Sequence, residues 1–248
     1  MPNSRINFNH TLDMYADNPF VSQKTRQKNT KIRETLNFAG NIAPPQLPSK
    51  YTYPNNLATT VATYAPVYNN KEDETQIFNL IQTLAYSNDE GKVFSYIEDP
   101  MSVPLIKTQA IPVLQQITGK NNLDIEAAIG DGCTAGRTPH QDEKLIATWF
   151  LSVNGPRTHH LPAKDSNTIV QYYKNQGLSV EEANDSLVSD QSTIFAQQMQ
   201  NMTETPYGCA LATTSSAHSG GGAIHQAGDC TGYPDRKYMF VSAASSSY

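Results

Sequence analysis

Charge is scarce in this sequence: only 17% of its 248 residues are Asp, Glu, Lys or Arg, against about a quarter in an ordinary soluble domain. The net charge of -5 argues against capture of a nucleic-acid backbone by the chain as a whole. No run approaches the roughly 20 apolar residues that span a bilayer. The opening residues, Met1-Pro2-Asn3-Ser4-Arg5, lead into no apolar segment of a secretory leader. The expected setting is therefore intracellular, cytoplasmic or within a virion, without a secretion signal. Cysteine is equally sparse. Cys133, Cys209 and Cys230 are too few for a disulfide framework and cannot all pair within one chain. A reducing compartment is expected, with a single Cys209–Cys230 link as the alternative in oxidising surroundings.

Regular periodicity is also missing from the first 70 residues. Asn18-Pro19, Pro44-Pro45, Pro48 and Tyr53-Pro54 interrupt helix and strand alike, because proline lacks an N–H and restricts the residue before it. What is present there is a series of apolar anchors, among them Phe8, Tyr15, Phe20, Leu36, Phe38, Tyr51 and Tyr53. A solvating tail would lack these, so they are the expected partner-binding residues of an extended arm. The basic run from Lys24 to Arg33 has no stacking aromatics interleaved and reads first as a solvated face of that arm. Contact with nucleic-acid phosphates is its alternative.

From residue 71 the pattern becomes helical. Ile77, Leu80, Ile81 and Leu84 share one face. Ile111, Leu114 and Ile117 predict a second helix, closed by Gly119, and Asp124 to Ile129 predicts a short third one. Thr138-Pro139-His140-Gln141 has the form of a capping box, with Asp142 and Glu143 in the first turn. Leu145, Ile146, Trp149, Phe150 and Val153 then continue as a helical stripe. A helix through Ile169, Tyr172 and Tyr173 follows, and Ser179-Val180-Glu181-Glu182 is a second capping box. Residues 207–213 and 237–243 alternate as strands. The expected fold is α+β, with an extended arm over 1–70 and a helix-rich domain over 71–248 that ends in a β-hairpin.

Candidate chemistry gathers between those two strands, where His218, His225, Asp229 and Cys230 fall within a Gly-rich connection. Cysteine with a histidine base and a carboxylate could act as a nucleophile, with Cys230, His225 and Asp229 as the catalytic set, or the cluster could ligate a metal. A polar surface loop is the plainer reading. His159-His160 likewise reads as an ordinary loop pair. Gly130 to Arg137 reads as a turn rather than a nucleotide loop, since it lacks the Gly-Lys-Ser/Thr ending.

Two local resemblances carry no functional residue over. Gly228-Asp229-Cys230-Thr231-Gly232-Tyr233 resembles the nucleophile turn of transglutaminase-like cysteine enzymes, but no histidine follows it. Phe195 to Met199 with Tyr207 to Ala212 resembles the signature region of the CAP superfamily, without that family's histidine, tryptophan or Gly-Glu-Asn motif. The expectation is accordingly a structural or interaction subunit of a large assembly, such as a capsid-associated protein. It would bind neighbouring subunits, including copies of itself, through its arm, without metal or cofactor. A cysteine- or metal-dependent hydrolase and a divergent CAP-like domain are the alternatives.

Overall fold

The computed structural model describes residues 62–84, 94–131, 137–142, 145–215 and 222–245. Residues 1–61, with the anchors Phe8, Tyr15, Phe20, Leu36, Phe38, Tyr51 and Tyr53 and the Lys24–Arg33 run, lie outside the described residues, as do Cys133 and His218. Among the described residues no helix is long and apolar enough to cross a membrane.

The described chain runs β1 (Ala62–Pro66), α1 (Lys71–Leu84), β2 (Phe94–Tyr96), α2 (Ile111–Thr118), β3 (Leu123–Asp131), β4 (Ala147–Val153) and β5 (His159–His160). It continues through α3 (Ala163–Asn175), α4 (Val180–Asp190), α5 (Ala196–Met199), β6 (Thr203–Glu204), β7 (Cys209–Thr214), β8 (His225–Gln226) and β9 (Lys237–Ser245). The strands form two antiparallel sheets, one in the order β1-β7-β4-β9-β3-β2 and a small one in the order β6-β5-β8. The expectation of a helix-rich domain is therefore corrected to a sheet-rich one. Residues 62–70, assigned to the arm by sequence, contain β1, one of the two edge strands of the larger sheet.

The main source of that error is β4. It lies third in the six-stranded sheet, and six of its seven residues are buried. A strand buried on both faces shows no two-residue alternation, so its apolar run imitates a helical stripe. Its alternate residues in fact divide between two layers. Trp149, Leu151 and Val153 join Ala210, Ala212, Met239 and Val241 in the main core, together with Ile77, Leu80 and Ile81 of α1 and Leu114 and Ile117 of α2. Thr148, Phe150 and Ser152 point the other way, towards the small sheet. The segment Asp124 to Ile129, expected as a helix, lies within β3 and pairs with β9. The expected terminal hairpin is also corrected: β7 and β9 are not neighbours, because β4 lies between them.

The helices expected from sequence at α1, α2, α3 and α4 are present. Gly119 closes α2 with φ 67, and Ser179 caps α4 with both reciprocal bonds of a capping box. Helices α3 and α4 cover the outside of the small sheet through Ile169, Val170, Tyr173, Ala183 and Leu187, packed with Leu161 and Ile224. Helix α1 is tied to the turn after β4 by the buried Glu74 carboxylate. This accepts from Asn154 N–H at 2.8 Å, Lys71 Nζ at 2.9 Å and Tyr207 Oη at 3.1 Å. Burial opposes ionisation of Glu74, but these donors outweigh it and lower the pKa.

Candidate metal centre

The inner faces of the two sheets meet around three side chains. Residues 138–142 form no helix, and His140 forms an antiparallel bridge with His225 of β8. Each donates its N–H to the other's carbonyl, at 3.0 and 2.9 Å. Direct pairing sets the two imidazoles side by side, with ring centroids 4.5 Å apart. Two residues along an extended segment return to the same face, so Asp142 lies beside His140. One ligand atom from each of His140, Asp142 and His225 falls within 4.8 Å of the others.

Each of these side chains is fixed by its other polar atom. His140 Nδ1 is 2.8 Å from Thr138 O, and His225 Nδ1 is 3.2 Å from Ala223 O. A carbonyl only accepts, so both Nδ1 atoms carry hydrogen, which leaves Nε2 as the ring atom of each that could ligate. Asp142 Oδ2 accepts from the Thr148 hydroxyl at 2.6 Å. Having given its one proton to the carboxylate, Thr148 accepts from Thr213 Oγ1, also at 2.6 Å. Asp142 Oδ1 remains turned towards His225 Nε2, 3.7 Å away.

His225 Nε2 is buried and has no hydrogen-bond partner. An orphaned buried nitrogen costs about 1–3 kcal/mol, and a divalent cation at this point would satisfy it. Burial, partly offset by Asp142, lowers the His225 pKa to about 4, so at neutral pH the imidazole is in its neutral, ligating form. Phe150 packs on His225 with ring centroids 4.8 Å apart, and Phe240 packs on Phe150 at 5.4 Å. Two imidazoles and one carboxylate, each held from behind, fit a divalent first-row metal ion.

The surrounding walls are polar at two points. His160 lies opposite His225 in the small sheet, and its Nδ1 donates to Leu161 O at 3.0 Å. Its Nε2 therefore accepts from Tyr64 Oη at 2.8 Å, a bond that joins the sheets. Burial lowers the His160 pKa. Arg236, just before β9, is 2% exposed. It donates through Nε to Pro156 O at 2.7 Å and through Nη2 to Ser152 Oγ at 2.8 Å. Its guanidinium lies 5.3 Å from the Tyr238 ring centroid. Gly155 permits this approach, since a Cβ there would stand 2.9 Å from Arg236 Cβ.

Of the residues singled out by sequence, His225 belongs to the donor set and the other two stand elsewhere. Asp229 is exposed, and its carboxylate accepts from Thr231 N–H at 2.9 Å. Cys230 is disulfide-bonded and offers no thiolate. Both line a polar cleft of about 530 Å³ with Arg137, Gln226 and Tyr233. The alternative of a Cys209–Cys230 link is corrected, because Cys209 is free and buried. His140 and Asp142 were missed as ligands because Thr138-Pro139 gave them the look of a helix start. The usable signal was a histidine and an aspartate two residues apart, which share a face only on extended chain.

No protein-family model and no curated protein sequence matches the chain. Among solved structures, the non-heme alpha ketoglutarate dependent carbocyclase SnoK from nogalamycin biosynthesis aligns over 82% of this chain and 87% of its own. The identity is 10% and the TM-score 0.49. The non-heme alpha ketoglutarate dependent epimerase SnoN from the same biosynthesis aligns over 75% and 80%, at 11% identity and a TM-score of 0.43. The convergence of His140, Asp142 and the buried His225 on one point corrects the expectation of a capsid-associated structural subunit.

Proposed function

We propose that this chain is a mononuclear non-heme iron(II) oxygenase with a 2-oxo acid as co-substrate. The carrying observation is the His140–Asp142–His225 set, in which Nδ1 of each histidine and Oδ2 of the aspartate are occupied by hydrogen bonds and the ligating atoms converge. Two histidines and one carboxylate on one side, with other positions open, are the donor set of non-heme iron(II) oxygenases. Bound there, iron(II) supplies activation of dioxygen for oxidation of an organic substrate. The chain's own part is to orient the donors through Thr138, Ala223 and Thr148 and to exclude water from His225 with Phe150 and Phe240.

Arg236 supports the choice of co-substrate. Ser152, which it contacts, stands on the same face of β4 as Phe150 and about 7 Å further along the strand. Arg236 thus lies one strand repeat beyond the aromatic that packs on His225, and the planar fork of a guanidinium matches the far carboxylate of a short dicarboxylate. Alpha ketoglutarate, the co-substrate in the names of the two solved neighbours, has this form.

Anaerobic calorimetry tests the reading, with iron(II) added first and alpha ketoglutarate second. One equivalent of iron(II) should bind, followed by the 2-oxo acid with a visible charge-transfer absorption. Arg236→Lys keeps the charge and loses the fork, so it should weaken uptake of the 2-oxo acid about tenfold or more with iron(II) affinity unchanged. Iron-loaded protein that takes up no 2-oxo acid would overturn the co-substrate assignment.

A further inference from the structure

Gln141 stands between two ligands and contributes no atom to the donor set. Its backbone is nevertheless held by a residue 43 positions away: the Asn184 side chain accepts from Gln141 N–H at 2.9 Å and donates to Gln141 O at 3.0 Å. Successive peptide groups on an extended segment face opposite edges. Those of His140 are taken by His225 of β8, so those of Gln141 face outward. An asparagine amide carries the same donor and acceptor pair as a peptide group, and Asn184 thus completes that outer edge as a neighbouring strand would.

The helix that carries Asn184 is itself anchored. It starts at the Ser179 capping box, and Ala183 and Leu187 pack in one cluster with Ile224, the residue before His225. On the other side, Gln141 Oε1 fits over Gly222, where an added Cβ would approach to 2.4 Å. Helix α4 therefore grips both ligand-bearing segments, one through apolar packing and the other through a two-point amide clamp.

We propose that Asn184 is a positioning residue for the metal centre, setting His140 and Asp142 at ligating distance from His225 through the backbone of Gln141. This rests on the reading of the three side chains as a metal site. Residues behind the ligands typically contribute 10- to 100-fold to metal affinity.

The test uses the full chain and two variants, Asn184→Ala, which loses both bonds, and Asn184→Asp, which keeps only the acceptor. The iron(II) dissociation constant is measured anaerobically, and the melting midpoint is measured on metal-free protein. Asn184→Ala should weaken iron(II) binding about 10- to 100-fold, with Asn184→Asp between it and the wild type and the metal-free midpoints little changed. Wild-type affinity in both variants would overturn the proposal while leaving the metal reading intact. So would a lowered midpoint with unchanged affinity, which would mark a purely structural bond. If Asn184→Ala does not fold, Asn184→Asp alone decides between these results. A wild-type chain that takes up no divalent ion would overturn the metal reading and this proposal with it.

Discussion

Replacing His225 with alanine is expected to abolish iron(II) uptake at concentrations that saturate the wild type. It removes a ligand outright, so the loss should exceed the 10- to 100-fold attached to residues behind ligands. The metal-free protein should behave differently. Truncation leaves a small cavity and forfeits the bond to Ala223, but it also removes an orphaned buried nitrogen whose burial costs about 1–3 kcal/mol. These terms oppose one another, so the metal-free melting midpoint should change little. The sharper measurement is therefore the rise in midpoint on adding iron(II), present in the wild type and absent in His225→Ala. A variant that is still stabilised by the ion would show that His225 is not a ligand.

Trp149→Ala should give the largest loss of stability, about 3–5 kcal/mol by the usual cost of emptying a large aromatic site. Trp149 is fully buried in the middle of β4, between Ala212 of β7 and Val241 of β9, in the core shared with α1 and α2. Small neighbours cannot close around the vacated volume without moving a central strand. Its indole nitrogen has no hydrogen-bond partner, so truncation also relieves a polar penalty, and the result should fall near the lower end of the range. Trp149→Phe keeps most of the volume and sheds the N–H, so it should cost less than about 1.5 kcal/mol. Denaturant titration measures both. A loss below about 1 kcal/mol for Trp149→Ala would mean that the core around β4 is not packed as described.

Trp149 also shows why sequence reading succeeded in some places and failed in others. Helix α1 was legible from its one apolar face, and α4 from its start, where both bonds of the Ser179–Glu182 box are made. Strands β3 and β4 were not legible. In β4 both faces are covered, by helices on one side and by the small sheet on the other, so its residues carry no period for a pattern to detect. The small sheet was harder still, since β5, β6 and β8 are only two residues each and no alternation can appear over that length. His225 was noticed for its chemical type. His140 and Asp142 were hidden by a local cap motif that tertiary structure overrode. Arg236 gave no signal, because only the folded chain brings it beside Ser152 and Pro156.

The separation of the ligands along the chain has an energetic consequence. Asp142 and His225 are roughly 80 residues apart in sequence, and an ion shared between them closes a loop of that length. The unfolded chain could bring these ligands to one ion only at the entropic cost of closing that loop, so the ion would favour the folded chain. It would join two stretches of chain that otherwise meet through the His140–His225 bridge and the packing of Gln141 over Gly222. Because only the folded chain assembles the donor set, metal concentration becomes a variable of folding as well as of chemistry.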